Sequence, residues 1–138
     1  MIEQLEKLSL TLKDIKAVYL THLDIDHAGG LQEVKEVKDI SCSKAEKEAA
    51  DKGDVRYRKE LWKGIDFKNF SDTEEVDFFQ EDTFVVIPMK GHSAGITAYR
   101  IGTKENDVLI AGDSGYGKDS IEKQSLPGVE WNKKRRRR

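Results

Sequence analysis

A chain of 138 residues, 37% hydrophobic and 36% charged, is long enough for one domain with a core of its own. No apolar run approaches the ~20 residues of a membrane-spanning helix, and the stretch Met1 to Lys7 has no basic start leading into an apolar run, so neither a membrane span nor a signal peptide is expected. The formal net charge of −2 hides an asymmetry, because Lys133, Lys134 and Arg135 to Arg138 hold six of the 24 basic residues. Setting those aside leaves 18 against 26 acidic residues, an acidic body unsuited to specific nucleic-acid binding.

Residues 2–14 carry leucines at positions 5, 8 and 12 among charges, a spacing that predicts a short amphipathic helix. The β-branched run Ile15 to Leu20 reads as a strand. Gly29 and Gly30 allow a tight turn, and residues 31–37 read as a short helix. Residues 39–42 read as a second strand, whose Cys42 is expected as a small, half-buried apolar residue. As the only cysteine of the chain it cannot form an intrachain disulfide, which fits a reducing cytoplasm. Ser43 with Glu46 three positions on is a capping-box pattern that opens a helix running to about Lys52. Residues 53–75 are expected to be irregular, with a helix near 55–62 and Trp62, Phe67 and Phe70 in the core. From Val76 the chain turns β-rich, with strands at 83–89, 96–101 and 108–111 separated by Gly and Asn-Asp turns. Residues 1–128 are read as the domain and 129–138 as a basic, disordered tail.

The strand at 15–20 runs directly into Thr21-His22-Leu23-Asp24-Ile25-Asp26-His27-Ala28-Gly29-Gly30, with four metal-ligand types in six residues. Two further strands end in Gly91-His92-Ser93-Ala94-Gly95 and Gly112-Asp113-Ser114-Gly115. Imidazole nitrogen and carboxylate oxygen suit zinc and similar divalent ions, and carboxylates this dense repel one another unless a cation joins them. The candidate ligands are therefore His22, Asp24, Asp26, His27, His92 and Asp113. On an extended chain the period of two would place His22, Asp24 and Asp26 on one face. Gly91 to Gly95 also fits the Gly-x-Ser-x-Gly nucleophile elbow, but that motif needs a helix after the serine and a later histidine. Residues 96–101 read as strand and no histidine follows Ser93, so Ser93 is not expected to act as a nucleophile.

With these residues together, the chain resembles the metallo-β-lactamase superfamily, whose His-x-His-x-Asp-His, Gly-His-[Ser/Thr]-x-Gly and Gly-Asp motifs correspond to residues 22–27, 91–95 and 112–113. The resemblance implies an αββα sandwich with a two-metal site at one edge. In the family pattern His22, Asp24 and His92 would hold one ion, Asp26 and His27 the other, and Asp113 would bridge. The metals' shared hydroxide would attack an ester, lactone or thioester of a small-molecule substrate, with Asp26 as the catalytic residue that orients the water. Two divalent ions are implied, zinc first, with iron or manganese as alternatives.

Three departures from the pattern shape the expectation. Asp24 replaces a histidine, and a harder ligand there moves preference toward iron or manganese. No histidine follows His92, leaving Asp119 or Glu122 as substitutes. The family's opening β-hairpins and its C-terminal segment are missing, so the sandwich is expected to be incomplete, with exposed strand edges, and to be marginal in stability, aggregation-prone, or completed by a second copy or another chain. A diiron redox protein of the same fold and an inactive fragment of a truncated gene are the alternative readings.

Overall fold

The computed structural model describes residues 2–89 and 91–118; the basic tail, Asp119 and Glu122 lie outside the described residues. The β-branched run before the first histidine forms β1 (Ala17–Tyr19), which pairs in parallel with β2 (Asp39–Ser43), and β2 pairs in parallel with β3 (Lys68–Phe70). In β2 every residue from Ile40 to Ser43 is buried, as expected of a central parallel strand covered on both faces. A second, antiparallel sheet has the order β4 (Val76–Asp77), β5 (Phe84–Pro88), β6 (Thr97–Ile101) and β7 (Val108–Ile110).

The two sheets are joined by an aromatic layer. Tyr19 of β1 and Phe70 of β3 meet Phe78, Phe84, Val86 and Tyr99 of the second sheet and its flank. Phe84 and Tyr99 stack with ring centroids 5.5 Å apart. The Tyr99 hydroxyl donates to the Leu20 carbonyl at 2.6 Å, and the Thr97 N–H donates to the Thr21 carbonyl at 2.9 Å. Both bonds tie the chain just beyond β1 to the far sheet. A second core lies on the other face of the parallel sheet. There Leu23, Ile40, Cys42, Ala49, Ala50, Trp62 and Phe67 pack beneath α3 (Lys44–Asp51) and the 3₁₀ turns at Leu31–Val34 and Lys59–Trp62. Trp62, Phe67 and Phe70 are core residues, and Cys42 is buried completely rather than by half.

Several elements differ from the sequence reading. The first helix is only α1 (Ile2–Lys7), followed by a separate 3₁₀ turn at Leu12–Asp14. Ser9 adopts φ 57°, and the Leu10 N–H bonds back to the Leu5 carbonyl at 2.9 Å, a left-handed termination that stops the helix and leaves Leu8 exposed. The helix at 31–37 is a short 3₁₀ turn, and of the helix at 55–62 only the 3₁₀ turn at Lys59–Trp62 forms. Strand β3 carries no sequence signal of its own, since two of its three residues face solvent and no alternation marks it. Val108, Leu109 and Ile110 of β7 are all exposed, so apolar side chains do stand at a sheet edge.

Candidate metal centre

Beyond β1 the chain stays extended for a few residues. The Leu20 N–H still reaches the Ser41 carbonyl, and fully buried Leu23 anchors the segment in the core. His22 and Asp24, one residue to either side of Leu23, therefore face away from that core together. Asp24 then occupies the N-cap position of a single helical turn, α2 (Ile25–Ala28), its carbonyl accepting from the Ala28 N–H at 2.8 Å. That turn breaks the period of two. It brings the His27 ring to 4.0 Å from the His22 ring, centroid to centroid, and sends Asp26 outward, where its side chain is 72% exposed.

The other two motifs arrive from the antiparallel sheet. His92 lies in the loop joining β5 and β6, and its ring centroid is 5.0 Å from that of His22. This loop presses onto the start of α3 so closely that a Cβ on Gly95 would stand 2.2 Å from Ser43 Oγ and 2.3 Å from the Glu46 nitrogen. Asp113 follows β7 in a 3₁₀ turn opened by Gly112 at φ +52°, packed against Thr21.

Five of the six candidate ligands fall into two groups that share His22: His22, Asp24 and His92, and His22, His27 and Asp113. Within each group the ligand atoms lie within 4.8 Å of one another. His92 Nε2 is 3.0 Å from Asp24 Oδ2 and 3.6 Å from Asp113 Oδ2; His22 Nε2 is 3.5 Å from Asp24 Oδ2, and His27 Nε2 is 3.2 Å from Asp113 Oδ1. Tetrahedral ligands held about 2.0–2.1 Å from zinc stand roughly 3.3 Å apart, so these spacings suit a divalent ion. Asp26 belongs to neither group; its nearest imidazole nitrogen is His27 Nε2 at 3.8 Å.

Among these atoms, His22 Nε2 is an anomaly. It is fully buried and has no hydrogen-bond partner, while Nδ1 is 3.0 Å from Thr21 Oγ1. An unsatisfied buried polar atom costs about 1–3 kcal/mol. A cation between the imidazoles and carboxylates removes that cost, and by this test the residues fit a metal.

Two residues matter that the motif reading passed over. Glu46, completely buried, does not close a reciprocal capping box. Ser43 Oγ accepts from the Glu46 N–H at 3.2 Å as a simple N-cap. The Glu46 carboxylate instead accepts from the Leu23 N–H at 3.1 Å, the Ser93 hydroxyl at 2.6 Å and the Gly95 N–H at 2.9 Å. It thereby clamps the His22–Asp24 segment to the His92 loop. Ser93 is thus a buried donor to Glu46, and a strand rather than a helix follows it. Arg56, in the segment after α3, forks onto Asp24 with Nε–Oδ1 2.7 Å and Nη2–Oδ2 2.5 Å, and Nη1 donates to the His92 carbonyl at 2.8 Å. Burial pushes the Asp24 carboxyl up, but the His22 imidazole and the Arg56 guanidinium beside it win and hold it well below the usual carboxylate range. Buried carboxylates are not visible in a capping pattern, and nothing local marks an arginine 32 residues from its partner.

A cluster of imidazole and carboxylate ligands at the edge of a two-sheet α/β fold points to a class, and the family comparison agrees: the chain belongs to the metallo-beta-lactamase superfamily, whose model matches residues 1–136. Probable metallo-hydrolases of Mycobacterium bovis and Mycobacterium tuberculosis are each 26% identical over 135 residues, covering 86% of this chain and 43% of theirs. A mutant of B. thuringiensis AiiA, solved with N-decanoyl-L-homoserine bound at its active site, superposes with a TM-score of 0.80 at 23% identity, over 95% of this chain and 50% of that one. A probable metal-dependent hydrolase from Staphylococcus aureus gives 0.65 at 23% identity, over 81% and 43%. At these identities the solved structures speak for the fold. The chain spans less than half the length of the mycobacterial relatives and half of AiiA, so it carries part of the sandwich.

Proposed function

We propose that the protein is a metal-dependent hydrolase acting on an ester, lactone or thioester of a small molecule, with two divalent ions, zinc first, held at the sheet edge. The observation that carries this reading is His22 Nε2, buried without a hydrogen-bond partner where two groups of imidazole and carboxylate ligands meet. His22, Asp24 and His92 would form the ligand set at one position and His22, His27 and Asp113 that at the other, with His22 standing between the two. Asp113, with Oδ1 toward His27 and Oδ2 toward His92, is turned to bridge. Such ions lower the pKa of water and offset negative charge developing at an attacked carbonyl.

The chain's own residues hold this arrangement in place. Glu46 joins the two loops, Arg56 donates to the His92 carbonyl, and Asp26, at the solvent edge beside His27, would orient a water. A mostly apolar cavity of about 320 Å³, lined by Val18, Leu20, Leu31 and Val34 together with His27, suits the hydrocarbon part of a substrate. An N-acyl homoserine lactone hydrolase solved with N-hexanoyl-L-homoserine at its catalytic metal centre shares the fold over 95% of this chain at 22% identity, which supports lactones as the first substrates to test.

Hydrolysis of a γ-lactone and of an aryl ester by zinc-loaded protein, before and after chelation, tests the proposal. Activity that needs the metal and disappears in His22→Ala supports it. Activity untouched by chelation, or zinc-loaded protein with no hydrolysis of either class, counts against it.

A further inference from the structure

One half of the centre already contains a cation. The Arg56 fork occupies both oxygens of Asp24, and its Nη2 also lies 3.1 Å from His92 Nε2. A guanidinium is always charged and can only donate. Its contact with Nε2 is therefore favourable only when that nitrogen offers a lone pair, the same lone pair a metal ion would use. Zinc on His92 Nε2 would sit about 2.0–2.1 Å from it, within the space the guanidinium now fills, and two cations at that range repel. His27 and Asp113, by contrast, carry no ion pair with arginine or lysine among the described residues. His22 Nε2 has a single lone pair, so it can serve only one group at a time.

We propose that Arg56 is a built-in competitor for the ion at Asp24 and His92. With the guanidinium in place the centre holds one ion through His22, His27 and Asp113, and a second enters only by displacing Arg56 from Asp24. The inference rests on the reading of this cluster as a metal centre. It also gives Asp24 a second role, as the counter-ion of an arginine that neutralises the half-site when no metal is there. The Arg56 side chain keeps 16% of its surface exposed, and its guanidinium lies 5.8 Å from the centre of the Tyr57 ring.

Calorimetric titration of the metal-free full chain with zinc tests this in the wild type, Arg56→Met and Arg56→Lys. The wild type should take one ion tightly and a second at least about tenfold more weakly. Arg56→Met should tighten the second by about tenfold or more, with the first changed less than threefold, in the range known for side chains that act on metal ligands. Arg56→Lys, which keeps the charge but loses the fork, should fall between. Should Arg56→Met fail to fold, the wild type with Arg56→Lys as its reference still decides. Its Arg56 Nε–H resonance, identified by its absence in Arg56→Lys, should stay in place through the first equivalent of zinc and move with the second. Two equal ions in the wild type, a second site unchanged or weakened in folded Arg56→Met, or an Nε–H shift with the first equivalent overturns the role of Arg56 and leaves the metal centre standing. No zinc bound by any of the three overturns the metal reading and this inference with it.

Discussion

Replacing Glu46 by glutamine asks whether one buried carboxylate holds the two ligand-bearing loops in register. The side chain is fully buried and accepts three hydrogen bonds, from the Leu23 N–H, the Ser93 hydroxyl and the Gly95 N–H. Bonds to a charged acceptor are worth about 1.5–3 kcal/mol each, and a stranded buried donor costs about 1–3 kcal/mol. Glutamine keeps one acceptor oxygen but turns an amide N–H toward donors on the other side. The Ser93 hydroxyl can rotate to accept, whereas the Gly95 N–H cannot. The expected loss is about 3 kcal/mol, or roughly 10 °C in melting temperature for a chain of this size. Glu46→Ala strands all three donors and should lose about 5 kcal/mol or more, comparable with the whole stability of a small domain. Urea unfolding followed by circular dichroism reads both, with Glu48→Gln as the control. Glu48 lies on the same helix but is exposed, with Lys44 at 3.9 Å, and should change stability by less than about 0.5 kcal/mol. If Glu46→Gln stays within about 1 kcal/mol of the wild type, the clamp does not exist as described.

Three further outcomes follow from the same geometry. Ser93→Ala loses one buried bond to Glu46, so it should cost about 1–2 kcal/mol in a thermal melt yet leave hydrolysis intact; lost activity with metal retained would restore the serine as a nucleophile. Gly95→Ala forces a Cβ to 2.2 Å from Ser43 Oγ and 2.3 Å from the Glu46 backbone nitrogen, so the variant should be recovered unfolded or destabilised by more than about 3 kcal/mol; a native-like melting temperature would contradict this packing. Burial, and next the Glu46 carboxylate, pushes the Cys42 thiol from an ordinary value of 9.0 up to about 12. Because the folded value is the higher one, the stability this provides is complete below pH 9 and is lost as pH rises toward about 12. Folded protein at pH 8 should resist thiol reagents, and Cys42→Ala should flatten the alkaline limb; rapid labelling without unfolding would show that the thiol is accessible.

Much of the fold was readable because the local signals were strong and agreed with the packing. The apolar run before His22 became β1, Ser43 capped α3, and the three late apolar runs became β5, β6 and β7. The ligand motifs were readable because side chains of this type are costly at a strand end unless something joins them. What stayed hidden depended on tertiary context. The helical turn at Ile25–Ala28 lies inside the metal motif, and it turned Asp26 outward where strand periodicity had placed it beside Asp24. Strand β3 gains its identity from pairing with β2, not from its own three residues. Arg56 acts across 32 residues of chain and Glu46 across 47, distances at which spacing carries no signal.

The account stands on His22 as the shared ligand of both groups, so a crystal of zinc-loaded protein examined by anomalous scattering at the zinc edge is its most direct measurement. A zinc peak about 2.0–2.1 Å from His22 Nε2, with His27 and Asp113 completing the first shell at low occupancy of the second position, is the predicted result. A peak bound only at exposed carboxylates, with His22 Nε2 hydrogen-bonded within the protein, would contradict it.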